Sequence, residues 1–197
     1  MKLNIGIVPF VNKKYDYLIQ SVDTRLIKFL NFCYNDCIIH VLVGQKINLD
    51  LIVFSGSNTL KIYSSNHADK LRDKIDRFYL KLVLRKKIPA IGICHGAQFI
   101  AKNYKAKITR SSNHVKAKHK IIFKNLLKNK KNLLVNSFHN YIIAKISNKL
   151  NSLACSKKDN SVEYFEVKNK KIKGIMWHPE RNLKFSLTDK SIFRSIL

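Results

Sequence analysis

The sequence predicts an α/β fold, a mostly parallel sheet covered by helices on both faces. Three observations predict it. Short, continuously apolar runs alternate with helix-period stretches through the first half of the chain. One of these runs ends in a glycine-flanked turn that opens a helix. The second half then changes texture, to short strands separated by lysine- and asparagine-rich turns, which adds antiparallel strands to the C-terminal half.

Leu3-Asn4-Ile5-Gly6-Ile7-Val8 reads as a buried first strand, ended by Pro9. Over residues 16–30, apolar side chains at 18, 19, 22, 26, 27 and 30 follow helical spacing and predict a helix. Residues 37–43 and 50–54, rich in Ile and Val, are two further strands. Residues 68–87 make the strongest helix, with Leu71, Ile75, Phe78, Leu82 and Leu84 near one face. A short buried strand over 88–93 and a helix over 97–104 follow. Strands are then expected at 114–123, 133–137, 141–146, 150–156, 162–167 and 172–177, with a final helix over 191–197. No internal repeat, linker or composition break divides the chain, so residues 1–197 are expected to form a single domain.

The composition narrows the function classes. At 46% hydrophobic, the chain has enough apolar material for a core, which excludes disorder throughout. Its 38 basic and 12 acidic residues give a net charge of +26, which raises nucleic acid or an anionic membrane as partner. Only seven of the basic residues are Arg, however, and the Lys are scattered through every kind of element. Tyr and Phe do not interleave with Lys as a base-stacking platform requires, so nucleic acid is not the expected partner. A basic pocket for an anionic small molecule stays open. No apolar stretch approaches the ~18 residues of a membrane span. The N-terminal apolar run is too short for a signal segment, so Cys33, Cys37, Cys94 and Cys155 read as reduced cytoplasmic thiols. Cys33 and Cys37 stand four apart with His40 nearby, but a fourth ligand is missing, and small buried side chains explain them better than zinc. Cys155 reads as packing. No metal or cofactor is expected.

The chemistry concentrates in two motifs. Gly92-Ile93-Cys94-His95-Gly96-Ala97-Gln98 sits where a buried strand turns into a helix, a nucleophile elbow with Cys in place of Ser. A thiol there gains from the helix N-terminus, whose N–H groups also face a developing oxyanion. Near the other end stands Gly174-Ile175-Met176-Trp177-His178-Pro179-Glu180. In extended chain, positions i and i+2 share a side, so His178 and Glu180 can project together. A carboxylate beside an imidazole fixes its tautomer, as the base for a nucleophile requires. Cys94, His178 and Glu180 are therefore the candidate catalytic residues. His114 and His119, which flank a basic hairpin, read either as surface histidines or as anion contacts.

Gly92-x-Cys94-x-Gly96-x-Gln98 with His178-x-Glu180 resembles the class I glutamine amidotransferase superfamily, from about residue 3 to 181. Val135-Asn136-Ser137-Phe138-His139 and Trp177-His178-Pro179-Glu180 are similar to its gamma-glutamyl hydrolase (peptidase C26) branch. His114, His119, Asn140 and 176–181 are similar to gamma-glutamyl-CDP-amidate hydrolases, which serve phosphoramidate decoration of surface polysaccharide. The resemblance implies a flavodoxin-like sandwich and a gamma-glutamyl amide substrate, with nucleotide-linked forms included. It further implies oxyanion-hole N–H groups from Gly56 and His95. Substrate contacts would come from Gln98, Asn136, Ser137, Phe138 and His139. Two functions fit: a stand-alone hydrolase, or a glutaminase subunit handing ammonia to a separate synthase partner. Two departures stand out. Ser57 replaces a Gly whose freedom at positive φ presents the oxyanion N–H, and His95 stands where Arg is common. Arg110, Arg181 and the hairpin residues Lys116, Lys118, His119 and Lys120 are the candidate recruiters of a charged leaving group.

Overall fold

The computed structural model describes residues 2–45, 47–124 and 132–197. An eleven-stranded sheet forms its centre. The parallel half is built from β1 (Leu3–Val8), β4 (Cys37–Val41), β5 (Leu51–Phe54), β6 (Ala90–Ile93) and β13 (Ile172–Ile175), in the order β4-β1-β5-β6-β13. Beyond β13 the pairing turns antiparallel, through β12 (Val162–Val167), β11 (Leu150–Ser156), β8 (Ala117–Phe123) and β9 (Asn132–Ser137). Two more strands, β7 (Lys107–Arg110) and β10 (Tyr141–Lys145), pair with each other, and β10 also joins β12.

Both faces of the parallel half are covered, which is why its strands read as unbroken apolar runs. Along β5, Leu51 and Val53 face one cluster while Ile52 and Phe54 face the other. The first cluster lies under α1 (Thr24–Cys33) and α4 (Leu187–Arg194), where Phe29 meets Phe193 edge-on with ring centroids 4.9 Å apart. The second lies under α2 (His67–Lys86) and α3 (His95–Asn103) and holds Tyr79, Val83, Phe99 and Ile100.

Three expectations change. The helix foreseen over 16–30 begins only at Thr24, where Asp23 caps it by accepting from the Arg25 amide at 2.8 Å. The residues before it form a hairpin, β2 (Phe10–Lys14) and β3 (Tyr17–Ser21), turned at Tyr15 with φ 54°. Leu18 and Ile19 mimic helix spacing but are exposed strand residues. The last helix starts earlier than expected, because Ser186 caps Thr188 and Asp189. Helix α2 has the expected extent, but it is rotated from the expected face. Arg72, Asp76, Tyr79 and Val83 are buried, whereas Phe78 and Leu84 are exposed.

Candidate active site

Strand β6 ends at Ile93, and the next residue, Cys94, has φ 50° and ψ −101°, sparsely populated space for a non-glycine residue. The turn is held from both sides. Its amide donates to the Ile175 carbonyl at 2.8 Å, and its own carbonyl accepts from Gln98 N–H at 2.9 Å, opening α3. A Cβ on Gly96 would stand 2.2 Å from the Phe54 carbonyl oxygen, so only glycine lets the helix pass β5 this closely.

Topology brings in the second motif. β13 runs parallel beside β6, with Ile175 opposite Ile93, so the chain leaving β13 delivers His178 next to Cys94. The His178 Nδ1–H donates to Glu180 Oε1 at 2.6 Å, and both side chains are buried. That bond leaves Nε2 for the sulfur. Burial, the largest single influence on His178, opposes the imidazolium. The charges of Cys94 and Glu180 and their hydrogen bonds outweigh it and raise the ring to about 9. An imidazole so placed between a thiol and a carboxylate can take the thiol proton and later return it to a leaving group.

The main chain around His178 is fixed by residues from other elements. Asn136 on β9 accepts from the His178 amide at 2.9 Å and donates to the His178 carbonyl at 2.7 Å. Arg25 Nε–H donates to the Glu180 carbonyl at 2.9 Å and another Arg25 nitrogen bonds the Asn182 carbonyl. Trp177 donates to Asp189 at 3.0 Å, and burial lifts that carboxyl to about 6.

A pocket of about 220 Å³ opens over Cys94 and His178, lined also by Ser57, Asn58, Gln98, Phe138, His139, Tyr141 and Arg181. Gln98, Phe138 and His139 thus take the expected place at its wall. Gln98 is anchored by donating to the Tyr141 carbonyl at 2.8 Å. Arg181 covers the Phe138 ring at 5.0 Å. Asn136 and Ser137, expected as substrate contacts, do not line the pocket. The Asn136 amide is engaged with His178, and Ser137 is buried and donates to the His114 carbonyl at 2.7 Å.

Gly56 lies against the His178 imidazole, since a Cβ there would sit 2.5 Å from His178 Cε1. The next residue, Ser57, adopts φ 92°, the conformation for which glycine is suited. The His95 amide opens α3 beside Cys94, while its ring turns inward, 2.9 Å from Asp76 Oδ2 and 2.9 Å from the Asn58 carbonyl. Asp76 also receives Arg72 Nε–H at 2.9 Å, and Arg72 donates onward to the carbonyls of Pro9 and Ser55 at 2.8 and 2.9 Å. This buried Arg72–Asp76–His95 network ties α2 to the loop carrying Gly56 and Ser57. It was missed in the sequence, where the i, i+4 spacing of Arg72 and Asp76 is its one visible signal.

The hairpin histidines are corrected as well. His114 and His119 are buried and meet His139 and Glu163 behind the pocket wall. Cys33, Cys37 and His40 do not converge: Cys37 faces Asn31, His40 faces Asn4, and burial pushes the Cys33 thiol to about 12.

A strained cysteine at a strand-to-helix turn, met by a histidine–carboxylate pair from the neighbouring parallel strand, defines a class of thiol-dependent α/β proteins. Within that class the chain belongs to the glutamine amidotransferase class-I family, whose model matches residues 35–195. It is 41% identical over 130 residues to the gamma-glutamyl-CDP-amidate hydrolase of Campylobacter jejuni, a match covering 66% of this chain. The match spans 62% of that hydrolase, under two thirds of its length. Among solved structures, a Thermoplasma acidophilum protein assigned to GMP synthase has the same fold, with TM-score 0.74, 20% identity, and coverage of 100% of this chain and 92% of that one. PurLQS of Thermotoga maritima gives TM-score 0.73 at 19% identity, with 100% and 98% covered. No described helix is long and apolar enough to cross a membrane.

Proposed function

We propose that the chain is a cysteine-dependent hydrolase of gamma-glutamyl amides, and that its substrate is gamma-glutamyl-CDP-amidate. The observation that carries this reading is the Cys94–His178–Glu180 arrangement, with the 41% identity to a hydrolase of that name in support. In this mechanism the Cys94 sulfur attacks the gamma-carbonyl carbon, forming a C–S bond. The oxyanion faces the amides of Gly56 and His95 at the helix N-terminus. His178 protonates the leaving nitrogen as the C–N bond breaks. Water, deprotonated by His178, then cleaves the thioester, releasing glutamate and restoring Cys94. The other product is cytidine diphosphoramidate, a donor suited to phosphoramidate decoration of capsule in the cytoplasm.

A second reading is a glutaminase subunit delivering ammonia to a synthase partner, favoured by the fold likeness to a protein assigned to GMP synthase. One experiment separates the two. The isolated chain is incubated with gamma-glutamyl-CDP-amidate or with glutamine, and products are read by mass. Release of glutamate and cytidine diphosphoramidate, with a glutamyl adduct on Cys94 in a single turnover, supports the hydrolase. Turnover of glutamine alone, dependent on an added synthase, supports the second reading. Full activity of Cys94→Ala would sink both.

A further inference from the structure

Behind the pocket wall, four titratable side chains converge without the protons to satisfy them. His114, His119, His139 and Glu163 are each more than nine-tenths buried. His114 comes from the segment before β8, His119 from β8, His139 from the turn after β9, and Glu163 from β12. Glu163 Oε1 lies 3.5 Å from His114 Nδ1, 3.2 Å from His119 Nε2 and 3.9 Å from His139 Nε2. Among the described residues, none of these four atoms has a hydrogen-bond partner of good geometry, and Glu163 Oε2 lacks one too.

The outer contacts decide what the inner atoms are. His114 Nε2–H donates to Asp159 Oδ2 at 2.8 Å, and His139 Nδ1–H donates to the Tyr141 carbonyl at 2.9 Å. Each neutral ring then presents a bare lone pair inward, toward a carboxylate oxygen that is itself an acceptor. Acceptors facing acceptors in a dry interior repel and leave several buried groups unsatisfied. Charging both rings would instead press two cations together, since the His114 and His139 rings stack with centroids 4.8 Å apart. A single cation between the inward atoms of His114, His139 and Glu163 resolves the conflict for these three.

We propose that His114, His139 and Glu163 bind a divalent metal ion of the zinc class, with His119 standing beside the site. A tetrahedral zinc with bonds of about 2.0–2.1 Å holds its ligand atoms roughly 3.3–3.4 Å apart, close to the separations from Glu163 found here. The inward atoms of His114, His139 and Glu163 all lie within 4.8 Å of one another. Imidazole-rich donors with one carboxylate suit zinc over calcium or magnesium. Asp159 and the Tyr141 carbonyl are the outer partners that fix tautomer and ring angle in histidine metal sites. These three ligands leave one position, and the buried His119 ring, 3.2 Å from Glu163 Oε1, stands next to it, so a small movement of that ring closes the set and makes the ion structural. It locks β8, β9 and β12 together and holds His139 at the pocket wall.

The wild-type chain is stripped with chelator, shown to be folded by circular dichroism, and titrated with zinc chloride and, separately, cobalt(II) chloride. The expected result is one zinc per chain by elemental analysis, visible absorption bands of tetrahedral cobalt, and a higher melting temperature. Asp159→Asn should weaken zinc binding about tenfold to hundredfold through loss of the outer bond. Glu163→Gln should weaken it further and change the cobalt spectrum. A folded wild-type chain that retains no zinc and gives no cobalt bands overturns the proposal. So does zinc binding that both variants leave unaltered, which would place the metal elsewhere. Because the first comparison is made on the wild type, misfolding of a variant does not obscure the answer.

Discussion

At the scale of single residues, His178 is governed by its two neighbours. Its ring titrates at about 9 in place of 6.5 because Cys94 and Glu180 favour the imidazolium more than burial disfavours it. A value raised on folding stabilises the native state fully below 6.5, and that contribution is lost as pH rises through about 9. In the proposed mechanism the same proton serves the leaving nitrogen, so kcat/KM should fall on an alkaline limb near pH 9. In Cys94→Ala, the first of the raising influences is gone. The ring should then titrate well below 9 by NMR, and its stability gap from wild type should close above pH 9. An unchanged titration in that variant would show the thiol and imidazole to be uncoupled. Ser57 offers a separate test. Its φ of 92° stores strain of order 1–3 kcal/mol, which Ser57→Gly releases against about 0.5–1 kcal/mol of added chain entropy. Urea unfolding should show the variant more stable by up to about 2.5 kcal/mol, with activity retained. A loss of stability would instead assign the Ser57 hydroxyl, 3.4 Å from Arg181, a larger part than its length suggests.

At the scale of elements, the site depends on side chains that never touch the pocket. Asp76→Asn preserves shape but leaves Arg72 charged and fully buried without its carboxylate, a loss of about 3–5 kcal/mol. Chemical denaturation should register it, and the double change Arg72→Met with Asp76→Leu should recover most of it. Asn136→Ala removes both grips on the His178 main chain, so kcat should fall while KM for the substrate moves little. An increase confined to KM would return Asn136 to substrate contact. Such roles explain what the sequence revealed and what it hid. Strands of the parallel half were legible because two-sided burial leaves no polar interruption, and Cys94, His178 and Glu180 because their motifs are local. The β2–β3 hairpin was not, since Leu18, Ile19, Val22 and Leu26 imitate helical spacing over a stretch that Asp23 divides. The face of α2 was misread for a related reason. Periodicity counts Phe78 and Leu84 as buried, whereas the fold buries the Arg72–Asp76 pair to reach the loop that carries Gly56 and Ser57. The histidine cluster was hidden by distance along the chain, because only strand pairing brings residue 163 to residue 114.

At the scale of the whole molecule, the net charge of +26 acts on a substrate only where it meets the pocket. The hairpin lysines proposed as recruiters alternate with buried residues along β8: Lys118 and Lys120 point to solvent, while His119 and Ile121 point inward. Neither they nor Arg110, the register partner of Tyr141, line the pocket, whereas Arg181 does. Discrimination between a nucleotide-linked amidate and glutamine should therefore rest on Arg181. A charge-assisted contact to phosphate contributes about 1.5–3 kcal/mol. Arg181→Ala should accordingly lower the ratio of kcat/KM for gamma-glutamyl-CDP-amidate over glutamine by about tenfold to hundredfold. Taking the ratio matters, because Arg181 Nε also lies 3.8 Å from Glu180 Oε1. Any disturbance of the His178–Glu180 pair slows both substrates alike and cancels. Lys118→Ala and Lys120→Ala should leave the ratio unchanged, with at most a small loss in the rate for the charged substrate at low salt. The reverse pattern, a ratio sensitive to the lysines and to salt but not to Arg181, would move recognition from the pocket to the general field of the protein.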